Sequence, residues 1–163
     1  MAEGGFVRRL GVEEYWQHNW RVGVLDLLAD AGLLVHEGLV LTRRAHEEFL
    51  RTSGVLRDVR TAARRGEDTR RQAEEIRLRH ACYPVEGGLN QAICEALIGL
   101  NARSVTVLST DFSKSSLKSI PEVKDAVRDA WLSLRGLERQ VDAAAQGEDV
   151  PTWPLLVYSQ VKI

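Results

Sequence analysis

Arginine is the residue type whose number and spacing point most directly to chemistry. Arg57, Arg60, Arg64, Arg65, Arg70, Arg71, Arg77 and Arg79 crowd into one stretch with few large apolar residues among them. From Arg51 to Arg79, nine arginines stand against five acids (Asp58, Glu67, Asp68, Glu74 and Glu75), a local excess of four positive charges. Steps of three and four place Arg57, Arg60 and Arg64 on one face of a helix. A guanidinium stays charged at any working pH and meets phosphate through a planar fork of donors. The residues expected to bind phosphate or a nucleic-acid backbone are therefore Arg57, Arg60, Arg64, Arg65 and Arg71. The competing interpretation is a solvated face closed by internal pairs, such as Arg70 or Arg71 with Glu74 or Glu75.

Other constellations are weaker. His80, Cys82 and Cys94 have the right types for a metal site. Zinc sites, however, use four ligands, typically as close pairs at fixed spacing, whereas this set has three, widely spread. No metal and no cofactor is expected. Cys82 beside Arg77, Arg79 and His80 could be an activated thiolate, yet residues two apart on a helix do not face each other. Ser115-Ser116-Leu117-Lys118 has the Ser-x-x-Lys spacing of serine acyl-transfer enzymes without their companion motifs. The polar run Ser109 to Ser116 lacks the glycines that let backbone N–H groups cradle phosphate. It is expected to be a strand-to-helix loop. These groups define the alternative function, a small enzyme with a site near His80, Cys82 and the Ser109–Lys118 loop. Trp16 and Trp20, Trp131 and Trp153 are expected in the core, with Trp153 between two prolines partly exposed.

The chain that must position these residues has 163 residues, 44% hydrophobic and 28% charged, the balance of a globular protein. With 22 basic and 23 acidic side chains the net charge is −1, so attraction to nucleic acid must come from a local patch. No apolar run reaches the roughly 18–20 residues needed to span a bilayer, and no membrane partner is expected. The N-terminus has no signal-peptide core, and two cysteines do not make a disulfide framework. The expected location is cytoplasmic.

Apolar periodicity predicts helices near 12–32, 42–64, 69–81, 89–100 and 120–145, with strands near 104–108 and 155–162. Thr42 and Ser119 are expected N-caps, the latter opening a Ser-x-x-Glu capping box with Pro at the first helical position. Gly54 is a candidate break. Leu33–Val35 and Leu39–Leu41 read as two short strands around a Gly38 turn. In the last helix Val127, Ala130, Leu134, Leu137 and Val141 form a heptad-like seam. Strand, long helix and last strand suggest a βαβ unit with a right-handed crossover. A strand at the C-terminus is expected at a sheet edge. The seam and that edge are the two surfaces expected to join another protein subunit.

The run Leu27-Leu28-Ala29-Asp30-Ala31-Gly32-Leu33-Leu34, Gly38-Leu39-Val40-Leu41-Thr42, Ala45 and Glu48-Phe49-Leu50 resembles the end of a winged-helix domain. The resemblance covers residues 12–53. It implies a helix leading into a wing hairpin, with Thr42 starting the next helix. Asp26 and Asp30 make the helix before the hairpin poorly suited to the DNA major groove.

The expected fold is α+β and mainly helical. A winged-helix-like part carrying the arginine-rich helix spans 1–82, and a helix–strand–helix–strand part with a small sheet and a long packed helix spans 83–163. The two are expected to form one compact unit. The expected function is a non-enzymatic binding or assembly subunit, with nucleic acid as a candidate partner through the arginine helix.

Overall fold

The computed structural model describes residues 5–9, 33–100 and 102–162, and the helix expected over 12–32 lies outside them. The fold is α+β and mainly helical. In chain order the described elements are β1 (Val7–Arg9), β2 (Leu33–Leu41), α1 (Arg43–Ser53), α2 (Val55–Arg65), α3 (Thr69–His80), α4 (Gly87–Leu100), β3 (Val105–Ser109), β4 (Phe112–Leu117), α5 (Ile120–Trp131), α6 (Leu134–Ala145) and β5 (Leu155–Lys162). No helix among the described residues is long and apolar enough to cross a membrane.

The strands form one antiparallel sheet in the order β1-β2-β5-β3-β4. The last strand is therefore central, not an edge, because β5 pairs with β2 on one side and β3 on the other. Its sequence carries the reason. Leu155-Leu156-Val157-Tyr158 has no polar alternation, and such a run needs cover on both faces. All four residues are buried, as are Val105 to Ser109 of β3. The register stacks Leu39, Val107 and Val157 on one face, and Val40, Leu108 and Leu156 on the other. Since β3 and β5 run antiparallel, the expected βαβ crossover is absent.

Two further expectations are corrected. Leu33 to Leu41 is one continuous strand with a bulge between Val35 and Glu37, not a wing hairpin around Gly38. A long pairing partner in β5 holds the segment extended through the glycine. The Ser109–Ser116 loop is instead a tight hairpin, with β4 folding back on β3 and registering Ser109 with Phe112. Ser113 to Ser116 are exposed on that edge strand. Ser116 at φ 60 makes a bulge opposite Thr106.

Capping chemistry sets the helix starts as expected. The Thr42 hydroxyl accepts from the Ala45 N–H and donates to the Gly5 carbonyl, tying α1 to the segment leading into β1. Ser119 Oγ accepts from the Glu122 N–H and donates to the Glu122 carboxylate. Gly54, in the left-handed region at φ 87, separates α1 from α2. The expected 42–64 helix is thus two helices.

The expected 120–145 helix is also two. It stops at Leu132, and Ser133 starts α6 by accepting from the Gly136 N–H. The heptad-like seam is divided by this break. Val123, Val127 and Ala130 are buried from α5, which packs on β3 and β4. Leu137 and Val141 are buried from α6, which packs on α2 and α3, while Leu134 is only half-buried. Among the described residues the buried part of the seam is thus spent within the chain, and the last strand is paired on both sides over Leu156–Tyr158.

Candidate functional site

Helix α2 buries Val55, Asp58, Val59 and Ala62, spaced by three and four. The same spacing turns Arg57, Arg60 and Arg64 outward, and all three are exposed, as are Arg65 and Arg71. The structure thus places every arginine expected to touch phosphate at the surface. Gly66, at φ 64, ends α2, and Asp68 caps α3 by accepting from the Arg70 N–H. The two helices form an antiparallel hairpin, held against α6.

The ion pairs divide the arginines. Arg70 lies 3.6 Å from Glu74 and 3.7 Å from Glu138, and Arg71 lies 3.4 Å from Glu75. Arg57 approaches Asp58 at 3.8 Å. Among the described residues Arg60, Arg64 and Arg65 have no acidic partner. Arg64 and Arg65 also sit in the last turn of α2, where cations complement the helix dipole. Arg60 is mid-helix, and neither a pair nor the dipole accounts for it.

Beneath this surface lies a contact that charge counting missed. Asp58, 8% exposed, accepts from His80 Nε2–H at 2.7 Å and from Arg79 at 3.1 Å. Burial pushes the Asp58 carboxyl up, but the hydrogen bonds from His80 and Arg79 and their charges outweigh it, leaving it below the usual aspartate value. The signal was present in the sequence, since Asp58 falls in step with Val55, Val59 and Ala62 on the apolar face of α2.

An Asp–His pair can orient an imidazole for proton transfer, but this one presents no reactive atom. The other nitrogen, His80 Nδ1, is buried with no hydrogen-bond partner among the described residues. Cys82 is exposed beyond the end of α3, and Cys94 is on α4 with a weak contact to Asn90. Ser115 bonds Thr106 on the edge hairpin. No hydrogen bond or ion pair among the described residues joins His80 or Cys82 to the Ser109–Lys118 hairpin. No group of three or more metal-ligating side chains is found among the described residues.

A second buried histidine sits in an aromatic box. His46 of α1 stacks on Trp131 at 5.3 Å with nearly parallel rings, and meets Trp153 edge-on at 4.5 Å. His46 Nδ1 accepts from the Trp153 backbone N–H at 3.1 Å, so the ring proton resides on Nε2, facing Gln140. Burial lowers the His46 pKa to about 3. Trp131 and Trp153 thus pack in the core as expected, with Trp153 half-buried.

No protein-family model matches the chain, and no curated protein matches it. The geometry alone carries the functional reading.

Proposed function

We propose that the chain is a non-enzymatic binding or assembly subunit of a nucleic-acid-associated complex, contacting phosphates through the arginine face of α2. The observation that supports this most is the set Arg60, Arg64 and Arg65, exposed on one helix with no acidic partner among the described residues. On α3, by contrast, Arg70 and Arg71 pair with the acids one turn on, Glu74 and Glu75. Unpaired guanidinium groups leave the local field positive on a chain of net charge −1. Arg57 supports the same contact, since its link to Asp58 is long and its side chain is 79% exposed. Arg71, paired to Glu75, contributes less.

The test is joint replacement of Arg57, Arg60 and Arg64 by Glu. Arg60 and Arg64 point to solvent and Arg57 has only a long contact with Asp58, so circular dichroism should show the fold retained, and the Arg60→Glu, Arg64→Glu pair serves as the variant that leaves Asp58 untouched. Binding to a mixed-sequence oligonucleotide should be lost. In the unmodified protein, affinity should fall with salt, with a slope of roughly 0.7–0.9 per phosphate contacted. Unchanged binding with an unchanged salt slope would remove the proposal.

A further inference from the structure

The arginine face of α2 begins beside a cleft. A space of about 280 Å³ opens where the end of α1 meets the turn after α3, lined by Phe49, Thr52, Ser53, Tyr83, Pro84 and Glu86. That is just below the ~300–1,000 Å³ of pockets for drug-sized ligands, and suits a single ring system. Tyr83 stands on its rim with 60% of its surface exposed, while Phe49 forms a buried floor. An exposed aromatic next to a basic track is the arrangement on which unpaired bases stack.

Apart from the Tyr83 phenol, which can donate or accept, the polar side chains of the cleft present acceptors. Thr52 Oγ1 donates its hydrogen to the Glu48 carbonyl at 2.8 Å, and Ser53 Oγ donates to the Phe49 carbonyl at 2.6 Å. Neither hydroxyl has a hydrogen left to donate, and Ser53 Oγ already accepts from the Val55 N–H at 3.3 Å. The Glu86 side chain is exposed and has no partner among the described residues. A carboxylate accepts and cannot donate. Among the nucleobases, guanine carries two adjacent donors, N1–H and N2–H, on its pairing edge, and these match the two oxygens of one carboxylate.

The cleft and the arginines form one surface. Gly54, next to Ser53, lies under the Arg57 guanidinium: a Cβ placed on Gly54 would be 3.5 Å from the Arg57 Nη2. From Arg57 the exposed arginines continue to Arg60 and Arg64 over ~10 Å of helix. A track of that length suits successive phosphates of a strand better than the single phosphate group of a free nucleotide. A duplex keeps the pairing edge of guanine occupied and its faces stacked, so it cannot offer the base to this cleft.

We propose that the Tyr83 cleft takes an unpaired guanine of a single-stranded nucleic acid whose phosphates lie along Arg57, Arg60 and Arg64. This rests on the nucleic-acid reading above, and names its ligand class. The test is fluorescence anisotropy with a labelled thymidine oligomer, the same oligomer with one central guanine, and the guanine oligomer as a duplex. The guanine single strand should bind tightest. Tyr83→Ala should weaken it by roughly 5- to 150-fold without changing the salt slope, because no phosphate contact is lost. Tyr83→Phe, which keeps the ring, should retain the affinity. Glu86→Gln should erase the preference for guanine over thymine. Equal binding of single strand and duplex, with Tyr83→Ala at unmodified affinity, would overturn the cleft while leaving the arginine contact standing. Guanosine monophosphate displacing the oligomer at equal molar concentration would overturn the strand in favour of a mononucleotide. Absence of binding to every oligomer would overturn both this inference and the reading it rests on.

Discussion

Asp58 Oδ2 lies 2.7 Å from His80 Nε2, and this contact joins α2 to the last turn of α3. The carboxylate is buried, and its other neighbours, Arg57 and Arg79, close over it from the surface. The helix hairpin that displays the arginines therefore depends on an acid beneath them.

Asp58→Ala should lower stability by about 3 kcal/mol, because it leaves the buried His80 Nε2–H without its carboxylate acceptor. Urea denaturation checks this. A loss of a few tenths would mean that solvent replaces the carboxylate, and that the pair does not hold the hairpin.

His46 sets a pH window. Its pKa is about 3 in the folded chain against 6.5 for the free side chain, so the unfolded state takes up the proton first as pH falls. Its contribution to stability is fully present above pH 6.5 and is lost as pH falls toward 3. At pH 5 the loss should be about 2 kcal/mol, from 1.36 kcal/mol per unit. Asp58, whose pKa is also lowered, adds a loss only below the ordinary aspartate value near 3.8. Unfolding midpoints from pH 7.5 to 4.5 in the parent and in His46→Phe should differ in slope. Parallel profiles would show that His46 is not held neutral by burial.

Gly136 is a point of close approach. A Cβ there would fall 2.6 Å from the Trp153 ring and 2.8 Å from Ser133 Oγ, the N-cap of α6. Gly→Ala inside a helix normally gains about 1 kcal/mol, whereas forced overpacking loses about 1–3 kcal/mol. Gly136→Ala should therefore be destabilising, and adding Trp153→Leu should recover part of the loss. A stabilised Gly136→Ala would refute the close packing of Trp153 on α6.

Lys114 lies mid-strand on β4, the exposed edge beside β3. A charged residue and a bulge are two devices that keep an edge from pairing with another chain. Lys114→Val leaves the core untouched but should raise self-association, seen as mass growth by light scattering at high concentration. A variant that stays at the parent's mass would show that the bulge at Ser116 alone blunts the edge.

The elements with strong local signals were legible in the sequence. The helices near 69–81 and 89–100 formed within two residues of the expected bounds, and the strands near 104–108 and 155–162 within one. Thr42 and Ser119 cap as their types and spacing dictate, since capping is satisfied within one turn of the chain. Arg57, Arg60, Arg64, Arg65 and Arg71 face solvent because a helix that buries Val55, Val59 and Ala62, or Gln72, Ala73 and Ile76, turns them outward.

What depended on distant partners was not legible. The heptad-like seam runs unbroken through Leu132–Ser133 in the sequence. There Ser133 caps a new helix, and Trp153, arriving from the linker before β5, packs onto its Gly136. Leu33–Leu41 reads as a hairpin around Gly38 until β5 supplies a partner along its length. The continuous apolar run of β5 was a sign of a central strand, but which strands flank it is a matter of non-local pairing. Asp58 shows the same division. Its place on the apolar face of α2 is a property of the sequence, whereas its partner, His80, comes from the other arm of the hairpin. The sequence by itself determined which faces are apolar, where helices begin and which charges meet water, because these follow from neighbours within a turn or two. Tertiary structure alone decided which strand is central and which buried polar groups meet, because each requires a residue far along the chain to arrive.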